Sequence, residues 1–167
     1  MIMKTLTIIV AFFFTVVNGF AQDAMQERIG KAMQTAQNPT PETLLTCIAE
    51  LKGVAEDYPD SIAPQQCLAT QSITFALIAP TAPQAEALLA SSKQMIDVME
   101  TLPQMDKSDL NTLQGMYFMA LIVQNPAQNG QRYFMQVMQH YKKALKLNPK
   151  NMLAQQMQAE FYKGMNR

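Results

Sequence analysis

From residue 22 onward the apolar positions recur at intervals of three and four residues and seldom alternate with polar ones. Leu44, Leu45, Ile48, Leu51, Val54 and Ala55 fall on one stripe of a helix. Leu88, Leu89, Met95, Ile96, Val98, Met99 and Leu102 fall on a second, and Phe134, Val137, Met138, Tyr141, Ala144, Leu145 and Leu147 on a third. Between them lie explicit breaks: Asn38-Pro39-Thr40-Pro41, Tyr58-Pro59-Asp60-Ser61, Ala79-Pro80-Thr81-Ala82-Pro83, Leu102-Pro103, Gln124-Asn125-Pro126 through Asn129-Gly130, and Asn148-Pro149-Lys150-Asn151. Thr40 is placed to cap the helix that follows, with Pro41 in its first turn. The pattern predicts seven helices, over 23–37, 42–57, 62–79, 83–101, 107–124, 131–147 and 151–164. Short connections favour antiparallel neighbours. Ala, Gln, Met and Leu outnumber the β-branched residues that strands prefer, so the predicted class is all-α.

The first 21 residues follow a different rule. Met1-Ile2-Met3-Lys4 is a short positive start, Leu6 to Val17 an apolar run broken only by threonines, and Gly19-Phe20-Ala21 puts small residues three before and one before a cut. That order predicts a secretory signal peptide over 1–21 and a single domain over 22–167. The apolar run is short of the ~20 residues a membrane span needs, and no Cys sits at the cleavage point to carry a lipid. Residues 22–167 are therefore expected in the periplasm, or secreted, with no stable membrane insertion.

Composition narrows the function classes. The chain has 167 residues, 49% hydrophobic and 16% charged, too apolar for disorder and of ordinary single-domain size. Its 13 basic residues balance 13 acidic ones, which argues against nucleic-acid binding. The balance is uneven along the chain. Residues 22–110 hold 12 acids against five bases, a net −7, whereas residues 111–167 hold one acid against seven bases, a net +6. Such polarity suits head-to-tail docking, or simply solvated helix faces.

The breaks at Pro59, Pro103 and Pro149 are 44 and 46 residues apart, a period typical of stacked helical units. Cys47, Leu51 and Val54 precede Pro59 by the same intervals as Ser91, Met95 and Val98 precede Pro103, and as Val137, Tyr141 and Ala144 precede Pro149. The run Tyr141-Lys142-Lys143-Ala144-Leu145-Lys146-Leu147-Asn148-Pro149-Lys150-Asn151 resembles the closing half of the tetratricopeptide repeat (TPR), and Ala159 and Tyr162 match the small and aromatic positions of the unit after it. Gly115 and Phe118 fit the family's Gly-x-x-Tyr, but Ser72 stands where an aromatic is expected and there is no Trp. Ala69 to Pro103 and Gly115 to Pro149 each span 34 residues, where the family's unit allows about 24, so each pair carries longer helices. The resemblance implies an exported bacterial member of that family, built of antiparallel helix pairs stacked as a short TPR-like superhelix. The alternative is a compact helical bundle that ends in the same motif.

Candidate chemistry is sparse. Gly-rich phosphate loops, HExxH and GxSxG are absent from the sequence, and a single His supports few catalytic triads or zinc sites, so no enzyme, cofactor or metal is expected. One remote alternative is a Cu(I) site from Met135, Met138 and His140, with Met116 and Met119 facing them, although Met at helical spacing is ordinary core filler. Cys47 and Cys67 flank the Pro59 turn with an offset of about six residues, roughly 9 Å along a helix, which favours two buried thiols over a bridge. Asp106 and Asp109 suit the first turn of a helix.

The resemblance implies a protein-binding scaffold whose concave groove is lined by the first helix of each pair. It places Gln66, Thr70, Asp109, Thr112, Met116, Gln156, Glu160 and Lys163 there, a set with few charges that suits a neutral peptide or partner protein. The alternative is a self-associating envelope protein, a homo-oligomer joined through its acidic and basic halves.

Overall fold

The structure, a computed structural model, describes the backbone of residues 20–165 and side chains from residue 22. The expected leader lies outside the described residues except for its last two, whose backbone opens the first helix. Seven helices and no strand make up the described chain: α1 Phe20–Thr35, α2 Pro41–Asp57, α3 Ile62–Ile78, α4 Ala85–Thr101, α5 Lys107–Gln124, α6 Pro126–Leu147 and α7 Met152–Met165. The fold is all-α.

Each boundary has a local cause. The Thr40 hydroxyl accepts from the Thr43 amide at 3.2 Å, and the Thr43 hydroxyl accepts from the Thr40 amide at 2.9 Å, so the two reciprocally cap α2 behind Pro41. Asp106 Oδ1 accepts from the Asp109 amide at 2.9 Å and starts α5. The start of α6 departs from expectation. The sequence pattern breaks the chain from Gln124 to Gly130, but α6 begins at Pro126 and runs through Gly130. Asn125 explains this: its amide closes α5 on the Leu121 carbonyl, its side-chain oxygen accepts from the Gln128 amide at 3.2 Å, and proline at the first position needs no partner. One residue thus ends one helix and caps the next.

Packing follows chain order. Each helix lies on the next, and the odd-numbered helices also touch in series, α3 on α5 and α5 on α7. The even-numbered helices share no extensive contact with one another, and neither do α1 and α7. α3 and α5 are therefore wrapped by neighbours. Every residue from 69 to 77 is buried, and α5 buries Leu110, Asn111, Thr112, Leu113, Gly115, Met116, Met119 and Ala120. Polar side chains inside these helices satisfy themselves locally: Thr70 donates to the Gln66 carbonyl, Thr74 to the Thr70 carbonyl and Thr112 to the Ser108 carbonyl, each within 2.9 Å. The outer helices bury one stripe each, such as Leu44, Cys47, Ile48, Leu51, Val54 and Ala55 on α2.

Three apolar positions read as packed are open. Val98 is 61% exposed and Leu147 52%, and Ala159 faces solvent because it lies on the side of α7 away from buried Ala154, Met157 and Phe161.

Candidate functional site

The expected groove positions separate into two kinds. Thr70, Thr112 and Met116 are buried, at 1%, 1% and 0% exposure, so they serve the core rather than a groove. The reason is the wrapping of α3 and α5 by their neighbours on several sides. Gln66 and Asp109 are half-buried and turn toward each other, Gln66 Nε2 donating to Asp109 Oδ2 at 3.1 Å. Gln156 is half-buried, and Glu160 and Lys163 pair at 3.7 Å on the surface of α7.

Asp109 stands at a polar junction of four helices. Asn151 Nδ2, on the turn before α7, donates to Asp109 Oδ1 at 2.9 Å, to Ser108 Oγ at 2.9 Å and to Thr112 Oγ1 at 3.3 Å. Asn151 Oδ1 in turn accepts from the Ala154 amide at 3.0 Å and so caps α7. Ser108 Oγ donates to the Ala144 carbonyl of α6 at 2.9 Å. α3, α5 and the head of α7 are thus tied through one carboxylate, and Ser108 joins α6 to the same junction. Burial raises the Asp109 pKa, and the hydrogen bonds from Gln66 and Asn151 pull it the other way. Every oxygen of the carboxylate is occupied by a protein donor, so the geometry describes a structural clasp.

The more open surface lies on α4. A cleft of about 570 Å³ opens between the α2–α3 turn and the outward side of α4. Ile62, Met95, Val98, Met99 and Leu102 give it an apolar lining, and Gln65, Gln94 and Gln104 line it as well, with Asp60 as its charged residue. α4 needs only Ala85, Leu89, Ser92, Ile96 and Met99 to pack on its neighbours. Met95, Val98 and Leu102 form a second line beside that stripe, which is why the cleft is apolar. A further cleft of about 580 Å³, between the Pro80–Pro83 turn and Tyr117, Leu121 and Gln124, is more polar and shallow. The sequence reading missed Gln65, Gln94 and Gln104. Its available signal was an apolar arc on α4 wider than one contact face requires.

The remaining candidates are engaged elsewhere. His140 Nδ1 lies 3.2 Å from Asn111 Oδ1, its ring stacks on Phe118 at 5.5 Å, and burial lowers its pKa. Met119 Sδ accepts from the Tyr141 hydroxyl, Met116 is in the core, and Met135 is exposed. Cys47 and Cys67 are free and fully buried, and burial pushes their thiols up to about 11 and about 12. No described helix is long and apolar enough to cross a membrane. No family model, curated protein or solved structure matches the chain.

Proposed function

We propose that the chain is an exported, non-enzymatic interaction scaffold that holds a short neutral segment of a partner protein in the α4 cleft. The observation that carries this reading is Val98: a large apolar side chain, 61% exposed, lining a cleft that Gln65, Gln94 and Gln104 also line. A glutamine amide both donates and accepts, as a peptide backbone does, so Gln65, Gln94 and Gln104 can pair with an extended chain of any sequence. The apolar lining then selects a side chain, and burying one of valine or leucine size contributes roughly 1.5–3 kcal/mol. A cleft of about 570 Å³ takes a few residues.

The TPR-like stacking of helix pairs belongs to the same proposal. It is supported by the contact order, in which α3, α5 and α7 touch in series while α2, α4 and α6 share no extensive contact. A stack of this kind exposes one side of each second helix, and on α4 that side is the cleft.

The test is a peptide-display selection against the purified protein and its Val98→Glu variant. Neutral segments with one large apolar anchor should be enriched, and V98E, which alters only an exposed side chain, should weaken them about 10-fold or more. Equal binding by the variant removes the cleft from the account. Enrichment of charged segments instead would contradict the glutamine amides as the recognition surface.

A further inference from the structure

The outer face of α7 is uncovered in a way the outer face of α1 is not. Ala154, Met157 and Phe161 point into the fold, and Met152, Gln155, Ala159 and Tyr162, spaced by three, four and three residues, make an exposed stripe away from them. Met152 is 60% exposed and Tyr162 39%. α1 presents mostly polar side chains to solvent, Gln22, Asp23, Glu27, Arg28, Lys31 and Gln34, whereas α7 adds the large apolar Met152 and Tyr162 to its exposed side.

Charge identifies what covers α7. Arg132, Lys142, Lys143, Lys146, Lys150 and Lys163 are all exposed on α6, α7 and the turn between them, against the single acid Glu160. The α1–α2 end exposes Asp23, Glu27, Glu42, Glu50, Glu56, Asp57 and Asp60 against three bases, two of which are occupied: Arg28 by Asp57 at 2.7 Å and Lys52 by Glu56 at 3.9 Å. On α2, Glu42, Thr46, Ala49 and Glu50 share one outward face, small in the middle and acidic at its margins. The two ends belong to helices that do not pack together within one chain. A symmetric α7-to-α7 pairing would bring the Lys150 and Lys163 ammoniums of one copy against those of the other, which like charges oppose.

We infer that α7 is a docking surface for a second copy of this chain, whose acidic α2 face covers Met152, Ala159 and Tyr162 in a head-to-tail contact. The contact is heterologous, so it builds open chains or a ring rather than a symmetric dimer. It does not rest on the α4 cleft and survives the failure of that reading.

The experiment uses sedimentation of the purified protein, a tail variant (Met152→Glu with Tyr162→Glu) and a head variant (Glu42→Lys with Glu50→Lys). All four positions are exposed, and circular dichroism checks that helix content is retained. Wild type should grow in mass with concentration at about 0.01 M salt, and its association should weaken at least 10-fold at about 1 M, where the Debye length falls from ~30 to ~3 Å. Each variant alone should be monomeric. Mixed together they should associate into mixed dimers, because the head variant keeps its tail and the tail variant its head. A wild type that stays monomeric, a mass indifferent to salt, or a head variant that still self-associates while the mixture forms no mixed dimer each overturns the inference.

Discussion

Gly115 and Tyr141 fix the closest approach of α5 and α6. A Cβ added at Gly115 would stand 2.6 Å from Tyr141 Cε1 and 2.8 Å from Cδ1, and Tyr141 is itself fully buried, with no room to retreat. Gly115→Ala should therefore overpack the contact and cost about 1–3 kcal/mol, read as a melting temperature lower by roughly 3–10 °C. An unchanged melt would mean that the ring can move. Asp109 behaves differently. Its carboxyl is held above the ordinary range by burial, so the folded state retains the proton longer than the unfolded one. The contribution of Asp109 is then largest in acid and falls as the pH rises from about 3.9, the unfolded value, through the raised folded value. Denaturant titrations across that window should show the decline in wild type and a flatter profile in Asp109→Asn. Sequence reading placed Asp109 in the first turn of its helix but assigned its side chain to a partner. Gln66 and Asn151, 43 and 42 residues away in the chain, claim it instead, and no local pattern announces such a long-range hydrogen bond.

At the scale of the helix, periodicity was legible where a helix is wet on one side. The three clear stripes lie on α2, α4 and α6, and each of these helices keeps an exposed face. α3 and α5 show no stripe because their neighbours cover them on several sides, so Thr, Gln and Ser mix with Phe, Ile and Leu without regard to face. Proline marked the breaks well, with one exception. Gly130 looks like part of a loop beside Asn129, yet it lies five residues into α6 from Asn125, with nothing within 4 Å of an added Cβ. Glycine in a helix interior costs about 0.5–1 kcal/mol relative to alanine. Gly130→Ala should therefore stabilise the protein by that amount in chemical denaturation. A loss of stability would return residues 126–130 to the loop that the sequence pattern suggests.

Across the whole molecule the sequence carried the number of helices and the separation of charge, but not which surfaces stay open. The openness of α4 and α7 follows from one property: contacts run along the chain, and α1 and α7 share no extensive contact. A compact bundle of the same helices would close α1 onto α7 and bury the stripe that holds Met152 and Tyr162. Spin labels on Lys31→Cys in α1 and Gln155→Cys in α7 measure this directly, both positions being exposed. The native Cys47 and Cys67 thiols, buried and held near 11 and 12, escape the labelling reagent. With self-association screened at about 1 M salt, stacked pairs predict a label separation above about 25 Å, several helix spacings of 8–10 Å. A separation near 10 Å, one helix spacing, would contradict the stack, and with it the open α7 face.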